Sequence, residues 1–162
     1  MIETLKKQLA ILIAKLNLLI KTMPGEHIYQ TAKAHLGQHL TLDPNVPPET
    51  GCAEAVSTVL KLSGYYIPRL GIAGTKDLCD FLANSKAFTE VTQPVRGDIW
   101  IYPSGQLGSK VPHGHTGICG DVQDMSNDSA TGLFEANYTH EQRVAYFENT
   151  SGFTPRYFRA II

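Results

Sequence analysis

The spacing of apolar residues changes near residue 95 from a helical period to a strand-like period. Before that point, apolar side chains recur at steps of three and four, which predicts helices at residues 2–23, 26–37, 52–62 and 75–84. After it, alternating patterns predict strands at residues 98–102, 115–119, 123–127, 132–138 and 155–161. Because helices come first and neighbouring strands follow, the chain is expected to adopt an α+β fold with an antiparallel sheet.

The N-terminal segment, residues 1–23, has a heptad pattern of its own. Its apolar positions are Ile2, Leu5, Leu9, Leu12, Leu16, Leu19 and Met23, and Ile13 and Ile20 widen the stripe. Pro24-Gly25 is expected to end this amphipathic helix. Three interpretations stay open, namely packing on the following domain, self-association as a coiled coil, and contact with a membrane surface. A second unit, residues 26–162, is expected to form the main domain.

Charge and composition exclude some functions. The chain of 162 residues carries 14 basic and 15 acidic side chains, so nothing in it attracts nucleic acid electrostatically. The apolar stretch of residues 9–20 resembles part of a signal peptide, but Lys15 and Asn17 interrupt it and no cleavage site follows. We therefore expect no signal peptide, and the stretch is too short and too charged to span a bilayer.

Three cysteines are too few for a disulfide scaffold, and no CxxC pair indicates a zinc site. Cys79 and Cys119 lie in apolar patterns and are expected in the core. Cys52 begins a predicted helix directly after a loop, where free N–H groups and the helix dipole favour a thiolate. Cys52 is therefore the candidate nucleophile.

The candidate general base is His115, which opens a predicted strand beside glycines and a flexible loop. An imidazole near neutral pKa is the usual partner of a nucleophilic thiol. His113 is a rival for the same role. A metal site built from His113, His115 and Cys119 lacks a convincing fourth ligand, so we expect neither a metal nor another cofactor.

A third polar group is needed to hold the histidine tautomer. If a three-residue turn, residues 120–122, follows the strand, Cys119 faces Gln123 and Asn127 lies directly across from His115. Asn127 is therefore the preferred third residue. The alternative is the pair Glu135 and Asn137 on the next strand.

Three segments, in order, resemble the CHAP and NlpC-type peptidases: Gly51-Cys52-Ala53-Glu54-Ala55-Val56, Arg96-Gly97-Asp98-Ile99-Trp100-Ile101 and Gly114-His115-Thr116-Gly117-Ile118. The resemblance covers residues 26–162 and implies a papain-like fold that needs no metal. It implies Cys52 as nucleophile and His115 as base. The NlpC-type pattern matches Asn127 as third residue, whereas the CHAP pattern matches Glu135 and Asn137. Thr116 departs from the usual apolar residue.

The resemblance implies a hydrolase that cuts peptide or amide bonds in bacterial peptidoglycan, as an endopeptidase or an N-acetylmuramoyl-L-alanine amidase. A bacterial or phage-encoded lysin, made in the cytoplasm and acting on the cell wall, fits this size. Specificity is expected in the loops at 41–50, 64–75 and 103–113. The alternatives are an inactive papain-like scaffold that works through its N-terminal helix and a thiol acyltransferase or deamidase. Asp98 and Trp100 are expected to be structural.

Overall fold

The computed structural model describes the backbone of residues 2–21 and 24–162, and the side chains of 2–15 and 24–162. Four longer helices come first in the chain: α1 (Ile2–Lys21), α2 (Pro24–Ala34), α3 (Cys52–Leu62) and α4 (Thr75–Asn84). A short 3-10 turn, Pro48–Thr50, leads into α3. A fifth helix, α5 (His140–Arg143), continues directly into a π-helical segment, Val144–Thr150.

Six strands form one antiparallel sheet. They are β1 (Phe88–Val91), β2 (Ile99–Tyr102), β3 (His115–Ile118), β4 (Asp124–Asn127), β5 (Phe134–Tyr138) and β6 (Arg156–Ala160). The spatial order is β1-β6-β2-β3-β4-β5, so the C-terminal strand inserts between β1 and β2. This insertion places β2 and β3 at the centre of the sheet, where both of their faces are covered.

The two faces of the sheet bury different kinds of side chain. Helices α2, α3 and α4 cover one face with an aliphatic core that includes Val56, Leu60 and Ile101. The other face carries a smaller aromatic cluster: Trp100, Tyr102, Cys119, Phe147, Phe153 and Tyr157. Alternation along β2 supplies both layers, because its successive side chains point to opposite faces.

The predicted fold class is confirmed: helices precede an antiparallel sheet in an α+β arrangement. The predicted bounds of α3 and α4 agree with the structure, and the five predicted strands lie within two residues of the observed ones. The sequence analysis missed β1, α5 and the π-helical segment. Pro24-Gly25 begins α2 instead of only ending α1, in keeping with the preference of proline for a first helical turn.

Helix α1 does not pack on the domain behind it over its described side chains. All of residues 2–15 are exposed, including the large aliphatic ones. The interpretation of α1 as a helix covered by its own domain is therefore wrong for this part. The predicted heptad residues Leu16, Leu19 and Met23, together with Ile20, have side chains outside the described part. None of the described helices is both long enough and apolar enough to cross a membrane.

Asp98 and Trp100 have the structural roles predicted for them. Asp98 is fully buried, accepts the Val95 backbone N–H at 2.7 Å, and receives both Nε and Nη2 of Arg159. Trp100 is fully buried in the aromatic cluster. Asp98 therefore joins the turn before β2 to the neighbouring strand β6.

Candidate active site

Cys52 is the first residue of α3 and is held there by the preceding turn. The Ala55 N–H donates to the Gly51 carbonyl at 2.8 Å, so the helical ladder starts directly at the cysteine. Gly51 is required at this corner, because a Cβ would approach the Thr41 hydroxyl to 2.7 Å. The Cys52 side chain is 8% exposed and borders an open cleft.

Glu54, two residues after the cysteine, fastens the loop that precedes α3. Its buried carboxylate accepts the Leu42 N–H at 2.6 Å and also the N–H of Asp43. An ionised acceptor for two backbone donors gives strong, charge-assisted hydrogen bonds. Glu54 thus holds the 41–50 loop against the start of α3, where that loop forms one wall of the cleft.

Burial and the helix start act in opposite directions on the pKa of the Cys52 thiol. Burial raises the pKa of the Cys52 thiol to about 11, although the backbone N–H groups of Thr116, Ala53 and Cys52 itself lower it. The helix-start N–H groups thus act in the predicted direction, but desolvation outweighs them. Thr116, which supplies one of these N–H groups, directly follows His115 in β3.

His115 is the first residue of β3, and the chain before it is tightly constrained. A Cβ on Gly114 would collide with the Tyr102 carbonyl oxygen, so only glycine fits. The Gly114 N–H donates to Ser104 Oγ at 3.2 Å, and Ser104 Oγ lies 2.6 Å from Thr75 Oγ1 at the start of α4. These hydroxyls tie the start of the His115 strand to the helical layer.

Aromatic rings surround the His115 imidazole. Phe147 stacks on it at a centroid distance of 5.3 Å, while Trp100 and Tyr138 contact it at 5.5 and 6.0 Å. This burial lowers the pKa of His115 to about 4, a shift that Asp128 partly opposes. At neutral pH the imidazole is therefore uncharged and able to accept a proton, which a general base requires.

A hydrogen-bonded chain fixes which nitrogen of His115 accepts that proton. His115 Nε2 lies 3.2 Å from Ser126 Oγ, and Ser126 Oγ donates to Asn137 Oδ1 at 2.8 Å. Because the single serine proton goes to Asn137, Ser126 must accept from Nε2–H. The lone pair is then on Nδ1, the ring nitrogen that can accept a proton.

The predicted position of Asn127 is wrong by one residue of register. The pairing of β3 with β4 sets Gly117 opposite Ser126 and Ile118 opposite Met125. Gly117 lies on the same face as His115, so Ser126 is the β4 residue on that face. The Asn127 side chain is buried and donates from Nδ2 to the Pro48 carbonyl at 2.6 Å.

The register differs because the connection between β3 and β4 is one residue longer than predicted. Asp124, expected inside the strand, closes the turn by accepting the Gly120 N–H at 3.1 Å. Its other oxygen accepts from Arg143 Nε at 2.7 Å. An added turn residue moves each following side chain to the opposite face of the sheet.

Of the alternative third pair, Glu135 and Asn137, only Asn137 is connected to His115 by hydrogen bonds. Asn137 reaches the histidine through Ser126, whereas no hydrogen bond or ion pair joins Glu135 to the site among the described residues. The sequence analysis did not consider Ser126. The only sequence signal for Ser126 is the adjacent Asn127. A shift of one residue in the pairing of β3 with β4 puts Ser126 on the face that was predicted for Asn127.

Arg143 stabilises the aromatic side of the site through buried hydrogen bonds. The guanidinium is fully buried, pairs with Asp124 and donates to the hydroxyls of Tyr102 and Tyr157 at 2.7 and 3.3 Å. Tyr102 in turn donates to Glu148 Oε1 at 2.9 Å, within the π-helical segment that carries Phe147. This network fixes the segment whose phenyl ring stacks on His115.

Cys52 and His115 line the same cleft, of about 550 Å³. The aromatic wall consists of Tyr138, Tyr146 and Phe147. The three loops expected to set specificity contribute residues 45–47, 49–50, 73–75, Ser104 and His113 to the lining. His113, the rival base, is exposed on a loop, whereas His115 begins a strand. Within residues 2–21 and 24–162, no three His, Cys, Asp or Glu side chains gather as a metal site.

Comparison with known proteins shows a likeness of fold to solved structures. No protein-family model matches the chain, and no curated protein has a matching sequence. A solved chain from the type VI native effector-immunity complex Tae3-Tai3 of Ralstonia pickettii superposes with a TM-score of 0.55 at 18% identity. The match covers 85% of this chain and 98% of that chain. The likeness is one of fold, and it supports neither the CHAP nor the NlpC-type branch in particular.

Proposed function

We propose that the protein is a cysteine hydrolase that cleaves peptide or amide bonds in bacterial peptidoglycan. The observation that carries this proposal is the chain from His115 Nε2 through Ser126 to Asn137, beside a cysteine at a helix start in the same cleft. A serine and an amide that merely filled space would not select one tautomer of this partly buried histidine. In the proposed function, the free Nδ1 of that tautomer accepts the proton of the Cys52 thiol.

The proposed reaction begins from a neutral pair. Nδ1 of His115 takes the thiol proton as the sulphur of Cys52 attacks the carbonyl carbon, so charge separates only when substrate is bound. The backbone N–H groups at the start of α3 stabilise the oxyanion. His115 then protonates the leaving amine as the C–N bond breaks, and a thioester remains on Cys52. Water, deprotonated by His115, attacks the thioester and releases a carboxylic acid and the free thiol.

The substrate assignment rests on two separate supports. The three motif segments resemble peptidases that act on peptidoglycan, and their residues contribute Cys52 and His115 to the cleft. The structural relative belongs to a complex that contains a type VI effector. We propose accordingly that this chain acts on the cell wall, as an endopeptidase or as an N-acetylmuramoyl-L-alanine amidase.

Mass spectrometry of fragments released from purified peptidoglycan tests this proposal. We expect the protein to release fragments with a new carboxyl group and a new amine at one type of bond, and the Cys52→Ala variant to release none. Products joined to an added amine, or glutamine converted to glutamate in a protein substrate, would instead assign the same residues to acyl transfer or deamidation. Release that persists in Cys52→Ala would remove the proposed nucleophile.

A further inference from the structure

Helix α1 exposes an unusual amount of aliphatic surface. Six large apolar side chains on it are between 48% and 71% exposed: Ile2, Leu5, Leu9, Ile11, Leu12 and Ile13. Exposed apolar residues that occur singly need no explanation, but a contiguous patch of this kind marks a contact surface. The surface lies outside the cleft of Cys52 and His115, and none of its residues lines that cleft.

The exposed residues are arranged on one side of the helix. At 3.6 residues per turn, Ile2, Leu5, Leu9, Leu12 and Ile13 fall within an arc of about 100°. We call these five residues the apolar face. Ile11 is the exception, because it projects from nearly the opposite side. A single apolar stripe along a helix fits a partner that covers one side and leaves the other in water.

The net charge of α1 indicates the sign of the charge on the partner surface. The helix carries four lysines (Lys6, Lys7, Lys15 and Lys21) and one acidic residue, Glu3. Subtracting these from the 14 basic and 15 acidic residues of the chain leaves ten basic and fourteen acidic residues elsewhere. The helix is therefore positive and the rest of the protein negative. A segment with this asymmetry is attracted to an anionic surface from which the domain itself is repelled.

We propose that α1 binds the surface of an anionic lipid bilayer and lies in the plane of the interface. Its apolar face enters the boundary of the acyl chains, while the lysines beside and opposite that face meet the headgroups. A helix of 20 residues is about 30 Å long, which gives several turns of contact. A second copy of the helix fits less well, because Glu3 alone would have to balance the lysines of its neighbour.

The test uses the full chain and sedimented vesicles of phosphatidylcholine, with and without phosphatidylglycerol. We expect binding to the anionic vesicles to be at least about tenfold tighter than to the neutral ones and to weaken as salt is added. Leu9→Gln interrupts the apolar face and should weaken binding about tenfold, through loss of one buried leucine. Ile11→Gln is the matched control and should bind like the parent, because Ile11 lies outside that face.

Three results would overturn the proposal. Equal affinity for the two kinds of vesicle would remove the role of the lysines. Equal weakening by Leu9→Gln and Ile11→Gln would remove the role of the apolar face. Absence of vesicle binding, together with a dimer or larger assembly in light scattering that Leu9→Gln dissociates, would assign the face to a second copy. Both substituted side chains are exposed, so circular dichroism should show both variants folded.

Discussion

Nε2 of His115 lies 3.2 Å from Oγ of Ser126, on the neighbouring strand of the sheet. Ser126 is fully buried, and its hydroxyl donates a hydrogen bond to Asn137. The serine oxygen is then left to accept a hydrogen bond from His115. The pair therefore holds the imidazole with Nε2 protonated and Nδ1 open. In the proposed mechanism this hydrogen bond strengthens when His115 becomes positively charged.

Replacement of Ser126 by alanine should lower kcat and leave KM nearly unchanged. A hydrogen bond to a charged group contributes about 1.5–3 kcal/mol, which corresponds to a loss of roughly 10- to 100-fold in rate. Steady-state kinetics on released peptidoglycan fragments measure the effect. Nitrogen NMR of the imidazole should at the same time show a rise of the Nδ1-protonated form.

Asn127→Ala is the matched control for Ser126→Ala, because Asn127 is the adjacent residue and equally buried. Its amide donates to the Pro48 carbonyl instead of to the histidine. We expect it to lower the free energy of unfolding by about 1–3 kcal/mol, since a buried carbonyl loses its donor. A tautomer change in Asn127→Ala but not in Ser126→Ala would contradict the observed register.

Substitution of Asn137 by aspartate should raise the pKa of His115. The aspartate keeps an acceptor for the Ser126 hydroxyl and adds a negative charge near the imidazole, which favours the protonated form. The acid limb of the kcat/KM profile should therefore move to higher pH, whereas Asn137→Leu should lower the rate without that move. An unchanged acid limb in Asn137→Asp would mean that Asn137 is not coupled to His115.

His115 should make the protein less stable as the pH falls from about 6.5 to about 4. Burial holds its pKa at about 4 in the folded protein, against an ordinary value of 6.5. Between these values the unfolded chain binds a proton that the folded protein excludes, so stability is complete above the upper value and declines toward the lower one. The loss from this group is on the order of 3 kcal/mol.

Urea unfolding of the parent and of His115→Gln across this pH range isolates the histidine contribution. The carboxylates titrate in both proteins, so the difference between the two curves belongs to His115. The difference in the free energy of unfolding between the two proteins should change by on the order of 3 kcal/mol between about pH 6.5 and pH 4. Two parallel curves would show that His115 is not buried in its neutral form.

Arg143 should stabilise the fold far more than a surface arginine does. Arg143→Met leaves Asp124 buried without its cation and should cost about 3–5 kcal/mol in the free energy of unfolding. Arg156→Met, which breaks a partly exposed pair with Glu90, should cost less than about 1 kcal/mol. Chemical denaturation compares them directly. A loss for Arg143→Met no greater than for Arg156→Met would contradict the buried network.

The elements that the sequence predicted well are those with strong periodic patterns. Helix α3 runs over the predicted residues because Ala55, Val56, Val59 and Leu60 recur on one face. Strand β1 was missed because Phe88–Val91 is short and its two middle residues are polar and exposed. Helix α5 was also missed, although Thr139 and Gln142 form a capping box that marks its start.

The third residue of the candidate site was not predictable from the pattern of residues alone. Whether Ser126 or Asn127 faces His115 depends on the length of the turn after Cys119. That length depends on Asp124, whose position is set by Arg143, nineteen residues further along the chain. Local periodicity carries no signal of such a distant contact. Cys52 and His115 were predictable because each begins a regular element beside glycine.

We propose that Cys52, activated by His115, cleaves cell-wall peptide. The most direct measurement is the rate of fragment release from purified peptidoglycan by the parent, Cys52→Ala, His115→Ala and Cys79→Ala, with folding of each checked by circular dichroism. Loss of a nucleophile or its base should reduce the rate by at least about 1,000-fold, whereas Cys79→Ala, a buried cysteine outside the cleft, should retain the parent rate. Equal rates for the parent and Cys52→Ala would contradict the claim.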